Sequence, residues 1–480
     1  MNRRILGAGL VCLVGVAACR VGPDYHAPEL PKGAAAPLVS LDDALESAAQ
    51  PPDAWWRLYD DERLDGFIRE ALRANRNIAA AEANFSAARA VVSAAKSGRY
   101  PSTHVTAGGT YGRDPTTEEI LELGGHAPED VWILEDVFEV GYEVDLFGRV
   151  RRSIEAANAN AASAEASRDA LKVVTVAETA RFYAQVCALG EQLQAAEHSL
   201  DVVTHEADIT VHRYEAGANS KLDVARAQAL VSQVRAAVAP LQGQRRAALF
   251  ELTAILGRTP LNAPQEVNDC TAPPQLKAVI PVGDGAQLLS RRPDVRQSER
   301  RLAAATAQIG VATADLYPTI RLNGFVGSVG SQLSDLTANG GLAWGIGPSI
   351  SWAFPNQTGA RARVRQAKAL QVAALAAFDE VVLTALKETE QSLSQYRSAL
   401  DSRQALVEAQ NKIHSAFDIA HDQFLAGGAS NLDLLTTEQT LVSIDASVAA
   451  ADAAVVQSQI AVFKALGGGW QGESISTAQR

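Results

Sequence analysis

The sequence predicts a mixed, mainly helical chain with an internal duplication, in which four short amphipathic strands alternate with helices too long for a globular domain. Three observations carry this. Residues 149–213 contain no proline and one glycine, Gly190, and residues 360–425 contain neither. At about 1.5 Å per residue, each such run approaches ~100 Å as a helix. Strand-like segments alternate apolar and polar residues. Finally, the chain reads twice: Arg99-Tyr100-Pro101-Ser102 returns as Leu316-Tyr317-Pro318-Thr319, Tyr214–Asp223 returns as Phe424–Asp433, and Leu256-Gly257 returns as Leu466-Gly467. Matches in one order at nearly one offset mark a duplicated unit.

Each unit has one grammar: a helix ending at Tyr-Pro, a β hairpin, a long helix, a glycine turn and a second long helix. Pro101 and Pro318 stop the preceding helix, because the residue before proline is pushed out of the α region. In the second strand Val140, Tyr142, Val144 and Leu146 alternate with Gly141, Glu143 and Asp145. In the fourth, Leu342, Trp344, Ile346, Ile350, Trp352 and Phe354 share one parity, broken by Pro348. In the third, Ile320, Leu322 and Val326 alternate with Arg321 and Asn323, with Phe325 out of pattern. The first, residues 103–111, alternates weakly. Alternation gives one apolar and one polar face. The long helices carry Ala, Val and Leu at their apolar positions, which suits close side-by-side packing in a coiled coil or helical barrel.

The N-terminus reads as an address. Arg3 and Arg4 precede an apolar stretch, Ile5–Val16, too short to span a bilayer and typical of a signal peptide. Its loss moves the net charge of the 480-residue chain from −12 to −14. So acidic a balance argues against nucleic acid as a partner, which needs a basic face. No later window offers about 18 unbroken apolar residues, so no transmembrane helix is expected in the mature chain. A membrane crossing then requires a closed barrel. Four strands cannot close one, since closed barrels have about eight or more. If these strands span a membrane, several copies must pool them.

No catalytic constellation, metal-ligand set or phosphate loop is present, so neither a cofactor nor a metal is expected and the chain reads as no enzyme. His198, His205 and His212 recur every seven residues. Neighbours lie about 10 Å apart on a helix, too far to share a metal. They read as a solvated stripe or a pH-sensitive lining. Cys187 and Cys270 can pair in an oxidising compartment, but nothing in the sequence requires it. Gly217 and Gly427 sit where a left-handed residue ends a helix. Ser220 and Ser430 read as N-caps, with Asp223 and Asp433 three residues on. Trp55 and Trp56 are expected to pack the N-terminal arm. Trp344 and Trp352 suit either an interfacial aromatic girdle or ordinary packing.

Val16-Ala17-Ala18-Cys19 is similar to a bacterial lipobox, which implies lipidation of Cys19. Cys19-Arg20-Val21-Gly22-Pro23-Asp24-Tyr25, Trp55-Trp56, and above all Arg291-Arg292-Pro293-Asp294-Val295-Arg296 with Tyr317-Pro318 resemble the TolC-like outer membrane factor family. The match is to its lipoprotein (OprM-like, NodT) branch of RND-type efflux systems. The resemblance spans Cys19 to about Gly468. It implies a homotrimer whose 12-stranded transmembrane β-barrel, four strands per chain, continues as a long periplasmic helical barrel. It implies an outer-membrane export channel for small molecules, lipid-anchored, with a periplasmic adaptor and an inner-membrane RND-type pump as partners. Under it, Gly217, Ser220, Gly427 and Ser430 belong to adaptor-docking turns, and Asp433 and Asp223 to a periplasmic gate. The sequence departs from TolC where a second aspartate and a tyrosine stand there: here they are Thr436 and Phe424. The Arg291–Arg296 block reads as structural, with Pro293 and Asp294 suited to a helix start.

The expected organisation is a signal peptide at 1–18 and a lipid-anchored arm at 19–60. The first repeat follows at 61–257 with its hairpin at 102–146. A connector at 258–283 leads to the second repeat at 284–467, with its hairpin at 319–354, and a loosely packed tail at 468–480. Loops at 113–130 and 331–340 would be extracellular. The rival reading is a lipid-anchored trimeric coiled coil with a structural or adhesive role and no channel.

Overall fold

The computed structural model of the chain describes residues 20–40, 46–47, 49–112, 130–276, 279–334, 336–337 and 342–470. The signal peptide, Cys19, most of the two long strand-connecting loops and the tail beyond Trp470 lie outside them. The elements are β1 (Glu46–Ser47), α1 (Glu62–Ala74), α2 (Arg76–Ser97), β2 (Ser102–Gly112), β3 (Val131–Val144), α3 (Arg149–Glu215), α4 (Lys221–Ile255), β4 (Ile280–Pro281), α5 (Gly285–Arg291), α6 (Pro293–Ala314), β5 (Thr319–Gly330), β6 (Leu342–Ser351), α7 (Thr358–Leu425) and α8 (Asn431–Ala465). The duplication is visible in their lengths: α3 and α7 have 67 and 68 residues, α4 and α8 have 35 each. The described chain forms two compact units, each drawing segments from both repeats.

The first unit comprises residues 20–28, 84–164 and 298–378 of the described chain. Its sheet is antiparallel in the order β2-β3-β5-β6. The pairing sets Val105, Phe138, Val326 and Trp344 in one row across it, and Val144, Ile320 and Ile350 in another. Period-two geometry puts these rows on one face. Among the described residues nothing covers that face: Val105, Trp344, Ile346 and Ile350 are each about 70% exposed. The other face carries Thr106, Glu139, Asn323, Gly345 and Ser349. Phe325, which broke the alternation, lies on that polar face across Gly345, where an added Cβ would meet its ring at 2.7 Å. The weak first strand is fully paired. Its alternation is hidden because Gly109 lies beneath the side chains of Leu134 and Trp132. Aromatic residues gather at both ends of the strands: Tyr111 with Trp132 at 5.4 Å, and Trp352 stacked on Phe354 at 4.7 Å. Small residues join the adjoining helices, Ala157 and Ala161 against Val92, and Ala312 against Ala367.

In the same unit the segment after Cys19 is clamped. Arg152, 1% exposed, donates to the carbonyls of Val21 and Gly22 at 3.2 and 3.0 Å. Gly22, at φ +87°, rests on Gly310, and a Cβ on Gly310 would meet the Arg152 side chain at 2.7 Å. Three small or backbone surfaces thus converge on one buried guanidinium.

The second unit comprises residues 29–83, 165–297 and 379–470 of the described chain. Trp55 stacks on Phe463 at 4.7 Å, and with Trp56 it sits in the main core beside Phe67, Tyr183 and Leu252, as expected of the arm. The Arg-rich block is structural. Arg291 ties to Asp53, Arg292 to the Ala465 carbonyl, Asp294 and Glu388, and Arg296 to Asp169. Pro293 opens α6 as anticipated. The tail is packed further than expected: the Trp470 indole donates to the Arg291 carbonyl and Arg296 lies over its ring.

Cys187 and Cys270 form a disulfide, with Cα atoms 4.8 Å apart. It holds the inter-repeat connector on α3. Arg245 supports it by donating to the carbonyls of Asn268 and Cys270 at 2.7 and 3.0 Å. Gly190, the lone glycine of α3, lies under the Cys270 carbonyl, where any Cβ would collide. α7 and α8 each contain an 18-residue window of mean hydropathy 1.7 and 1.4, apolar enough by composition to cross a bilayer. An unbroken apolar run misses them, because Ala-, Val- and Leu-rich stretches reach this mean while holding a few charges.

Replacing both Cys187 and Cys270 by Ser frees a loop closed over 83 residues. The expected loss is about 2–4 kcal/mol, read as a lower Tm than wild type without reductant. Equal Tm values would mean that Arg245 and packing hold the connector unaided.

Candidate functional site

The sequence-selected turns both lie in the second unit, and they are built alike. α3 ends at Glu215, and Gly217 follows at φ +78°. The Ala218 N–H returns to the Arg213 carbonyl at 2.8 Å. α7 ends at Leu425, Gly427 follows at φ +79°, and the Gly428 N–H returns to the Gln423 carbonyl at 2.7 Å. Among the described residues, and apart from its immediate chain neighbours, nothing lies within 4 Å of where a Cβ would stand on either glycine. Glycine is needed there for its left-handed backbone and not for space.

Each following helix opens on a complete capping box. Ser220 Oγ accepts from the Asp223 N–H at 3.2 Å, and Asp223 Oδ2 accepts from the Ser220 N–H and hydroxyl at 2.9 and 2.7 Å. Ser430 and Asp433 repeat the arrangement, with 2.6 Å between hydroxyl and carboxylate. Two donors orphaned at the helix start are thereby satisfied. The Ser220 backbone and side chain hold the Asp223 carboxyl below its ordinary value. The Ser430 hydroxyl, then its backbone N–H, do the same for Asp433. Both carboxylates are ionised at neutral pH and face solvent. Thr436 donates to the Asp433 carbonyl at 3.1 Å and adds no charge.

The unforeseen residue is Arg213. Its guanidinium donates to the Phe424 carbonyl at 3.0 Å, lies 4.3 Å above the Phe424 ring, and reaches Asn219. One cation thus bridges the end of α3, the end of α7 and the first turn. Phe424 is buried and cannot hydrogen-bond through its side chain, so the link runs through its carbonyl and ring face. Thr210 adds a second cross-link, donating to Asn431 at 3.2 Å. Below the turns, Val203, Leu230, Val234 and Leu435 join α3, α4 and α8. Leu222 and Leu432, next to the caps, are 57% and 48% exposed at matching places in the two turns. The histidine stripe His198, His205 and His212 is exposed to solvent. Cys19 lies outside the described residues.

The family model described as "Outer membrane efflux protein" matches residues 67–258 and 285–468. The chain belongs to that family, and the family is one of channel proteins. It is 28% identical over 471 residues to Nodulation protein T of Rhizobium leguminosarum bv. viciae, covering 96% of this chain and 93% of the relative. It is 29% identical over 441 residues to the pyoverdine export outer membrane protein OpmQ of Pseudomonas aeruginosa, covering 89% of each. Its fold matches the outer-membrane channel OprN, with a TM-score of 0.85 and 32% identity, over 94% of this chain and all of that one. The protein is an outer-membrane efflux channel, and the rival reading as a structural coiled coil without a channel is set aside.

Ser220→Ala removes one half of a capping box. It should destabilise the α3–α4 turn by about 1 kcal/mol at pH 7. A lowered carboxyl contributes stability above its ordinary value and loses it as pH falls, so part of the penalty fades in strong acid. Thermal unfolding of the helical signal at pH 7 and pH 3 reads this. A penalty that grows in acid contradicts it.

Proposed function

We propose that three copies pool their strands into one barrel and that the paired turns form its periplasmic gate and docking end. The observation that carries this is the sheet itself. It has two unpaired edges, β2 and β6, which run in opposite directions because four strands alternate. Copies set edge to edge therefore meet antiparallel, and an even-numbered barrel closes without a free edge. The exposed apolar rows then face lipid, and the polar face lines a lumen. The aromatic pairs at the strand ends suit the two interfaces of a band about 25 Å tall. Cys19, just before the segment clamped by Arg152, carries the lipid anchor.

In the assembly, three Asp433 carboxylates ring the constriction, with Asp223 beside them. Ionised carboxylates at a narrow point favour cations and repel anions. The turns of Gly217, Ser220, Gly427 and Ser430, with exposed Leu222 and Leu432, receive a periplasmic adaptor, and an inner-membrane pump of the RND type engages through it. Small molecules pass through, as the names of pyoverdine- and toluene-export relatives suggest for their own systems. The duct is passive and catalyses no reaction. Energy comes from the pump. Residues 61–257 and 284–467 are the two copies of the duplicated unit, joined by the connector at 258–283.

Single-channel recording of the full-length trimer in a planar bilayer tests the gate. Asp433→Ala should raise the conductance several-fold and reduce cation preference. A conductance and selectivity equal to wild type would remove Asp433 from the gate and leave the duct.

A further inference from the structure

Two carboxylates are buried beneath the turns and take no part in the capping boxes. Glu206 on α3 is 6% exposed and Glu438 on α8 is 2% exposed. Their placement follows from the helix contacts. Thr210 meets Asn431, which fixes α3 against α8. Glu206 lies one turn back from Thr210, and Glu438 two turns on from Asn431. Val203 and Leu435, each three residues from a glutamate, share one apolar cluster, so both glutamates border it. His421 of α7 comes in from a third helix, its Nδ1 3.0 Å from Glu206 Oε1. His421 Nδ1 has no hydrogen-bond partner among the described residues. Glu206 Oε2 and Glu438 Oε1 also lack a hydrogen-bond partner. Two buried carboxylates with orphaned oxygens cannot both ionise without cost.

We propose that Glu206, Glu438 and His421 form a proton-sensitive latch beneath the gate, which holds α3, α7 and α8 together while a proton is bound and loosens them when it leaves. This rests on the reading of the turns as the gate, and it adds a regulation that the gate carboxylates themselves do not supply. Asp433 and Asp223 are held ionised by their serines and do not titrate near neutrality.

The neighbouring charges leave Glu438 to this pair. On α3, His205, Asp208 and His212 face solvent, and Arg213 is engaged with Phe424. On α4, Lys221, Arg226 and Arg235 are exposed and Asp223 is capped by Ser220. On α7, Asp418 and Asp422 are exposed, and His414 reaches Asp445 of α8 at 3.1 Å. Burial first, and the Glu206 charge second, push the Glu438 carboxyl up to about 7 from its ordinary 4.5.

The sign follows from linkage. In the packed state Glu438 keeps its proton up to about pH 7. In loosened, hydrated helices it ionises near 4.5. Packed helices are favoured most below pH 4.5, lose that preference as pH rises to about 7, and regain none above it. The opening equilibrium should shift on the order of ten-fold or more toward the loosened state between pH 5 and pH 8.

The test uses the full-length trimer at constant salt, as wild type, Glu438→Gln and Glu206→Gln. Two readouts are taken from pH 5 to pH 8: open probability in a planar bilayer and Tm of the helical signal. Wild type should open about ten-fold more often at pH 8 and lose several degrees of Tm relative to Glu438→Gln over the same range. Glu438→Gln should be flat in both. Glu206→Gln should keep a transition displaced to lower pH. A wild type with flat profiles overturns the latch, as does a Glu438→Gln protein that keeps the wild-type transition, which would assign it to exposed histidines. A pH-dependent Tm difference with an open probability that does not change with pH would keep the buried pair and remove the turns as the gate.

Discussion

A strand inside a bilayer cannot leave its backbone N–H and C=O groups unpaired, because no water is there to satisfy them. Everything else in this chain answers to that constraint. Four strands make a sheet with two open edges, and the described residues of one copy hold no further strand to close it. The uncovered apolar rows have the same cause. Trp344, Ile346 and Ile350 would be a liability on a soluble chain. On a wall segment of a shared barrel they are the lipid-facing surface. The small residues of the helices belong to the same design, since Ala against Ala or Val lets helices run side by side closely.

Buried and half-buried arginines do the local stapling. Arg152 gathers the N-terminal segment, Arg292 and Arg296 gather segments far apart in the second unit, and Arg245 secures the connector beside the disulfide. The guanidinium suits this work because its planar fork serves carbonyls and carboxylates together and stays charged when buried. At the turns the same device recurs in Arg213. It takes the place of side-chain hydrogen bonding at Phe424, where the residue type offers none.

Much of this was legible in the sequence, because it was written in local code. Unbroken helical runs, Tyr-Pro stops, the recurring Gly–Ser–Asp turns and the parity of the fourth strand each have a short-range cause. So does the helix start at Pro293 and Asp294. What was illegible depends on partners distant in the chain. The first strand looked weak because its glycine is covered by Leu134 and Trp132 from the next strand. The Cys187–Cys270 pairing needs the connector folded onto α3, which no spacing states. Arg213, Glu206 and Glu438 are ordinary polar residues of long helices, and only packing against α7 and α8 sets them apart. The histidine stripe drew notice by its regular spacing, yet the histidine in a buried cluster is His421. Regular spacing reports a face of a helix and says nothing of what covers it.

In the proposed trimer β2 of one copy pairs with β6 of the next, and three copies close the ring. The direct measurement is chemical cross-linking in native membranes between single cysteines placed at Thr106 and Ser349, using a long thiol-reactive bifunctional reagent. A closed trimer gives a ladder of one, two and three chains that stops at three, formed only when both cysteines are present. Links confined within single chains, or a ladder running past three, would contradict it.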